Sequence, residues 1–530
     1  MSQPKYTDLC RRLLDRTVRI MTALMKKGIR YAAVARGRRC TASIPATAVS
    51  SSLRLRRRRN PKRGRRKMWE AEEIEDEETL EALLEASRSA QGRAALSDAL
   101  ADTLHLLPAS THRLLLLRLR LLRNLLAGDD LNQGTFVLLS GPAAVVSSAL
   151  SSPSGSPDVA RAGLQALGNA ALAGEHHRAA VWDALFPGSL LELARVREKG
   201  VLDPLCMVID TCCSGEGGRG RLEELCHEEL GLPILVEIVT TAWQVGHDEE
   251  WLEWLLFKIC VEEQKFETLF VALCSRNDAE HSDGDECKTE FNAKHAYLLG
   301  KLSKCLANRP KEVSVSISFA LDIFNAQKHA AEIVDFTCRV NSPLPTGHPA
   351  IDVLGYSLVL LKDICAWESP PSDTQAPVDS LMQTGLVKHL LTYLRELEPP
   401  SMIRKSMARG QGDHQPALGT AKVCPYIGYR RDVVAVIANC LHRSKKVQDE
   451  VRHLDGIILL LQQCVVDEEN PYLREWGLFA VKNLLEGNEE NQKEVSGLKM
   501  QEAVITPEIA DIGLRVEIDK ETGHPKLVNN

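Results

Sequence analysis

Leu121-Leu122-Arg123-Asn124-Leu125-Leu126-Ala127-Gly128 is echoed by Ala166-Leu167-Gly168-Asn169-Ala170-Ala171-Leu172-Ala173-Gly174, and the two asparagines stand 45 positions apart. Further on, Val436-Ile437-Ala438-Asn439-Cys440-Leu441 is echoed by Ala480-Val481-Lys482-Asn483-Leu484-Leu485-Glu486-Gly487 with a step of 44. Weaker copies fall near Thr211, Phe257 and Ser303, and a degenerate one is Leu360-Leu361-Lys362-Asp363-Ile364-Cys365. Between them lie second apolar blocks, among them Thr135 to Leu150, Val181 to Val196, Leu222 to Ala242 and Gly456 to Val466. Self-similarity at such a period, with two or three helices per unit, is the mark of a stacked helical array.

The period is that of armadillo or HEAT repeats, so the predicted fold is all-α: an armadillo/HEAT-like α-solenoid superhelix in which one continuous core serves the whole length. Low aromatic content (5%) also argues against sandwiches and barrels, whose strands lean on Tyr, Phe and Trp. The expected organisation is a basic disordered extension over 1–67, an acidic helical segment over 68–99, repeats over 100–397, an insertion loop over 398–424, C-terminal repeats over 425–505, and a short hairpin or tail over 506–530. The register slips between Ser303 and Asp363 and again before Asn439, where Glu398-Pro399-Pro400 and a Gly/Gln/Lys-rich run mark the loop. Met402, Arg404, Lys405 and Arg409 make that loop basic, and it reads as solvated.

The net charge of −6 conceals two bodies of opposite sign. Residues 1–67 hold 21 Lys and Arg against Asp8 and Asp15, which leaves 44 basic and 69 acidic residues beyond them. The run Arg54 to Lys67 suits nuclear import or phosphate contact, and the acid-poor start also fits a transit peptide. At Met68 the composition inverts to Met68-Trp69-Glu70-Ala71-Glu72-Glu73, so Met68 is a candidate start of the working protein. An acidic solenoid favours basic protein partners over nucleic acid. Fifteen scattered cysteines without a CxxC pair read as reduced core thiols of a cytoplasmic or nuclear protein. No apolar run reaches the roughly 18 residues of a membrane span, so a soluble chain without membrane insertion is expected.

Cys424 to Asn530 resembles the C-terminal domain of the ataxin-10 family. The residues that carry this are Arg430, Val434, Ile437-Ala438-Asn439, Gln448-Asp449, Leu454-Asp455-Gly456-Ile457, Asn470-Pro471, Glu475-Trp476, Asn483-Leu484 and Asn491-Gln492. Val181-Trp182-Asp183-Ala184-Leu185-Phe186-Pro187 resembles a second family stretch, and residues 1–67 lie outside the likeness. From the residues themselves, Asp455-Gly456 is expected to turn between helices with Gly at positive φ, Asn470-Pro471 to cap the following helix, and Trp476 to fill the core. In armadillo proteins that capture extended peptides, a third-helix Asn bonds ligand backbone, which nominates Asn124, Asn169, Asn439 and Asn483. The alternative is that each amide ties its own helix to a neighbouring loop. The resemblance implies a self-associating protein linked to cytokinesis at the midbody and to basal bodies, and in animals to neuron survival and signalling.

Catalytic patterns are thin. Gly215-Glu216-Gly217-Gly218-Arg219-Gly220 fits GxGxxG, but in a helix-only setting it reads as an inter-helix loop. No GK[ST] follows a glycine loop, and His227-Glu228-Glu229 lacks the second His of a zinc protease. The expectation is a non-catalytic scaffold that binds proteins and forms homo-oligomers, without cofactor, metal or small-molecule substrate. Two alternatives are a karyopherin-like transport adaptor and a nucleic-acid binder using Arg54 to Lys67. Against the first, the positions four before the asparagines are Arg120, Gln165, Ala435 and Phe479, where an importin-type groove has Trp.

Overall fold

The computed structural model describes residues 76–150, 156–274, 291–308, 315–366, 377–404, 422–498, 514–518 and 525–529. The expected extension over 1–67, the start of the acidic segment and most of the insertion loop lie outside the described residues.

A row of helices, each packed along the next, runs through the described chain. Its members, labelled in chain order, are α1 (Glu77–Ala86), α2 (His112–Leu125), α3 (Pro157–Ala171), α4 (Lys199–Cys212), α5 (Glu250–Phe257), α6 (Ala293–Asn308), α7 (Pro349–Cys365), α8 (Tyr429–Leu441) and α9 (Leu473–Leu485). Each repeated motif quoted above falls in the C-terminal half of one of these, most of them in its last turn. A second layer covers one side of the row, including Asp130–Leu138, Glu175–Leu185, Leu232–Val245, Ile317–Ile333, Leu386–Glu396, Lys445–His453 and Glu489–Gly497. One apolar core runs between the layers from Leu80 to Leu484. This is the all-α armadillo-like solenoid.

Helical spacing explains the row. In α2 Leu117, Leu121, Leu122 and Leu125 are buried while Arg113, Arg120 and Arg123 keep solvent contact on other faces. Pro157 and Pro349 open α3 and α7, at positions where the missing N–H costs nothing.

The slips of register have local causes. Helix α5 runs into a π-helical turn, Lys258–Glu262, which widens the repeat there. Between α6 and α7 the long helix Ile317–Ile333 is followed by extended chain that meets the returning end of the insertion: Val340 N–H donates to the Pro425 carbonyl at 2.9 Å, and Val423 N–H to the Phe336 carbonyl at 2.7 Å. The described ends of the insertion are therefore anchored rather than solvated. Glu398 pairs with Arg339 at 2.9 Å and with Arg404. At the C-terminal end, β1 (Leu514–Ile518) pairs antiparallel with β2 (Pro525–Asn529). The described cysteines are all free thiols, and no described helix is long and apolar enough to cross a membrane.

Candidate protein-binding face

The last turn of a helix leaves carbonyls without an intrahelical partner, and the row supplies them from the next repeat. Asn169 Nδ2 donates to the Arg123 carbonyl, Asn439 Nδ2 to that of Lys362 and Asn483 Nδ2 to that of Ala438, each at 2.8 Å. Every acceptor lies one residue before the matching rung of the preceding helix. Asn124 reaches the Ser87 hydroxyl at 3.0 Å. Forward bonds complete the pattern: Gln133 Nε2 donates to the Asn169 carbonyl and Gln448 Nε2 to the Asn483 carbonyl, both at 2.8 Å. Asn132 and Asn491, each seven residues after its acceptor, donate to the Leu125 and Leu484 carbonyls.

Asn124 and Asn169 thus occupy neighbouring helices, as do Asn439 and Asn483, with α4 to α7 between the two pairs. The first three are half-buried and Asn483 is fully buried. The polar partners Gln133, Gln448, Asn132 and Asn491 complete the lattice. Their signal was an amide eight or nine residues after Asn124, Asn439 and Asn483, legible only once those rungs are known.

The C-terminal signature that carries the resemblance is mostly a cross-repeat clamp. Asn470 does not cap its own following helix; its Oδ1 accepts from the Arg430 N–H at 3.0 Å, in the first turn of α8. Helix α9 starts after Pro471, at Leu473, behind Tyr472 in the left-handed region. At the Asp455-Gly456 turn the positive φ belongs to Asp455, and Gly456 is needed for space: a Cβ there would stand 2.9 Å from the Val451 carbonyl oxygen. Arg430 is buried and donates to the Gln463 side chain at 3.3 Å and to the Glu398 carbonyl. Trp476 is half-buried, edge-on to Phe479 rather than in the core, and Glu475 meets Arg474 at 3.3 Å.

Mid-row rungs are ionic. Lys258, the first residue of the π-helical turn after α5, pairs with Asp210 of α4. Lys301 and Lys304 of α6 reach Asp248, the latter at 2.8 Å, and Lys304 also meets Glu253 at 2.8 Å. Bonds from both ammonium groups, Lys301 first, hold the Asp248 carboxyl down to about 2. Beside them a cleft of about 530 Å³ opens between α6 and α7, walled by Trp243, Tyr297 and Tyr356, with Gly300 leaving room for the Tyr356 ring. Its lining is mainly apolar, with Asp248, Lys301, Lys304 and Asp352 as the charged members. Of the glycine-rich run read as a loop, only Gly215 to Gly217 lie between α4 and the next helix, Gly218–Leu225, whose first turn takes the rest, and no group of three or more potential metal ligands occurs among the described residues.

Residues 429–528 match the family model described as the Spinocerebellar ataxia type 10 protein domain. The chain is 25% identical to Ataxin-10 of Xenopus tropicalis over 67% of its own length and 68% of that protein, and 22% identical to Ataxin-10 of Homo sapiens over 67% and 69%. An Ataxin-10 homolog of Dictyostelium discoideum is 36% identical over 19% of this chain and 17% of that one. Among solved structures, an engineered protein aligns at a TM-score of 0.31 and 14% identity, covering 77% of this chain and 84% of its own. A designed armadillo repeat protein aligns at 0.22 and 11%, covering 73% and 99%. Superpositions this loose add nothing to the helix-by-helix description.

Proposed function

Because this chain belongs to the ataxin-10 family, we propose that it works as a non-catalytic, armadillo-like protein-binding scaffold that self-associates through its C-terminal domain. The observation that carries the self-association is the surface of the last repeat. Ile458, Val466, Tyr472 and Leu498 are exposed there, Tyr472 by 68%, and among the described residues no helix beyond Glu489–Gly497 packs on α9. Exposed apolar side chains on the last described repeat of a stacked array suit a second copy. The label of the matched family model, which refers to homo-association, supports the same reading.

The half-buried rungs Asn124, Asn169 and Asn439 are proposed as edges of a binding face whose amide nitrogens are engaged by the fold. In the cell this reading puts the chain in the cytoplasm, in cytokinesis, cell survival or signalling, as the family resemblance implies. Sedimentation across a concentration series tests the oligomer. Association is expected in the parent chain and is expected to weaken in Tyr472→Asp with Ile458→Asp, with helicity by circular dichroism unchanged. A chain that stays monomeric throughout would sink the self-association.

A further inference from the structure

We propose that α2 and α3 form a docking patch for an acidic, extended segment of a partner protein, held by Arg120, Arg123 and Arg161. This rests on the scaffold reading and adds the chemistry of one ligand. Arg120, Arg123 and Asn124 stand within a turn of one another on α2, and Arg161 and Gln165 do so on α3. Arg123 Nη1 donates to Gln165 Oε1 at 3.1 Å, which joins the two sets into one surface. All five side chains keep partial solvent contact, and Arg161 is 43% exposed.

Charge balance distinguishes this place. Arg123 donates only to neutral amides, those of Asn124 and Gln165, and Arg161 has the single acid Asp158 at 2.6 Å. Among the described residues neither Arg120 nor Arg123 has an ion pair, so three guanidinium groups share one carboxylate. Two turns away on the same helix, Arg113 is neutralised by Glu77 and Glu81. Burial, and then Arg120 and Arg161, push the Arg123 guanidinium below its ordinary range, an unfavourable crowding that a bound carboxylate would relieve.

The surroundings choose the ligand class. One helix further, α4 carries Asp203 on its solvent-touched side, beside Asp210 that Lys258 already neutralises, and the chain beyond residue 67 is strongly acidic. A continuous phosphate backbone crossing the row would be repelled there, whereas a short run of Asp and Glu in an otherwise neutral segment meets only the arginines. Arginine forks suit carboxylates in paired, planar contacts.

The test uses a fluorescent, photo-crosslinkable Glu/Ser peptide and the full chain, with Arg and Lys between Arg54 and Lys67 changed to Gln to remove that run's contribution. Binding that weakens with salt, crosslinks mapping to 112–125 or 157–171, and a loss of about tenfold or more in Arg120→Glu with Arg161→Glu are expected. Arg219→Glu, at an exposed arginine elsewhere that meets Glu223 at 3.3 Å, should change little. Arg120→Gln alone, at a position without a partner, keeps the test valid if the double variant fails to fold; it should cost several-fold. Absence of binding, crosslinks elsewhere, or equal binding by the variants overturns the proposal. So does tighter binding of single-stranded DNA with the same dependence on these arginines. Sedimentation of the same samples reads self-association independently, so loss of the patch and loss of the scaffold are separable.

Discussion

At α3 and α9 a rung is an amide spent on a neighbouring carbonyl, whereas just past α5, in the π-turn, it is the Lys258 ammonium on the Asp210 carboxylate. At α6 the pair Lys301 and Lys304 gathers Asp248 and Glu253. An amide must sit about 3 Å from a carbonyl and in line with it, so helix spacing is held tightly wherever that bond is used. Attraction between charges falls off slowly and tolerates slack. The step is 44 or 45 residues at Asn124–Asn169 and Asn439–Asn483 and varies in between, where the ionic rungs accommodate a π-turn and the Asn439 amide bridges the insertion to Lys362.

This difference can be broken by acid first. Burial pushes His295 and His389 down to about 4, so both stay neutral in the folded chain. Their contribution is present above the unfolded value of about 6.5 and is lost as pH falls toward 4. Asp322, lifted to about 6 by burial and then Glu267, has the opposite sign between 3.8 and 6 and offsets part of it. From about pH 7 to about pH 5 a net loss of about 2 kcal/mol is expected, with the partly exposed His389 discounted. Hydrogen exchange should quicken in α6 and Leu386–Glu396 and not in α9; uniform quickening would erase the regional contrast.

Asn483→Leu comes next. It leaves the Ala438 carbonyl buried without its donor and should cost about 2 kcal/mol in urea unfolding, with no dependence on salt. Lys258→Met should cost about 1 kcal/mol at low ionic strength and less in strong salt, because the pair is partly solvated. Equal salt responses in the two variants would show that the rungs do not differ in kind. Smallest is Asn124→Ala, a half-buried donor to a hydroxyl, at about 0.5 kcal/mol, read as a slight drop in melting temperature.

The fold class could be read from four short motifs, because an apolar stretch recurring every 44 or 45 residues has few other solutions. The direction of each amide could not: Asn483 and Ala438 are 45 residues apart, and only stacking brings them together. The same applies to Asn470. An Asn before a Pro ahead of an apolar run looks like a local cap, yet its acceptor oxygen serves a helix that began forty residues earlier. Gly456 misled for a related reason, since a tight approach to Val451 and a positive φ leave the same residue in the sequence. The arginine patch escaped because Arg120 and Arg161 belong to different repeats, and the whole-chain charge pointed to basic partners.

The cap from Asn470 has a consequence for how the protein is made. As the chain leaves the ribosome, α8 is complete before the residue that finishes its first turn has been translated. Asn169 and Asn483 impose the same delay on α2 and α8, whose final carbonyls wait for donors synthesised later. Assembly of the array therefore trails synthesis by about one repeat, and each repeat is unfinished when it emerges. A nascent chain stalled just short of Asn470 would present α8 uncapped to whatever quality control meets it.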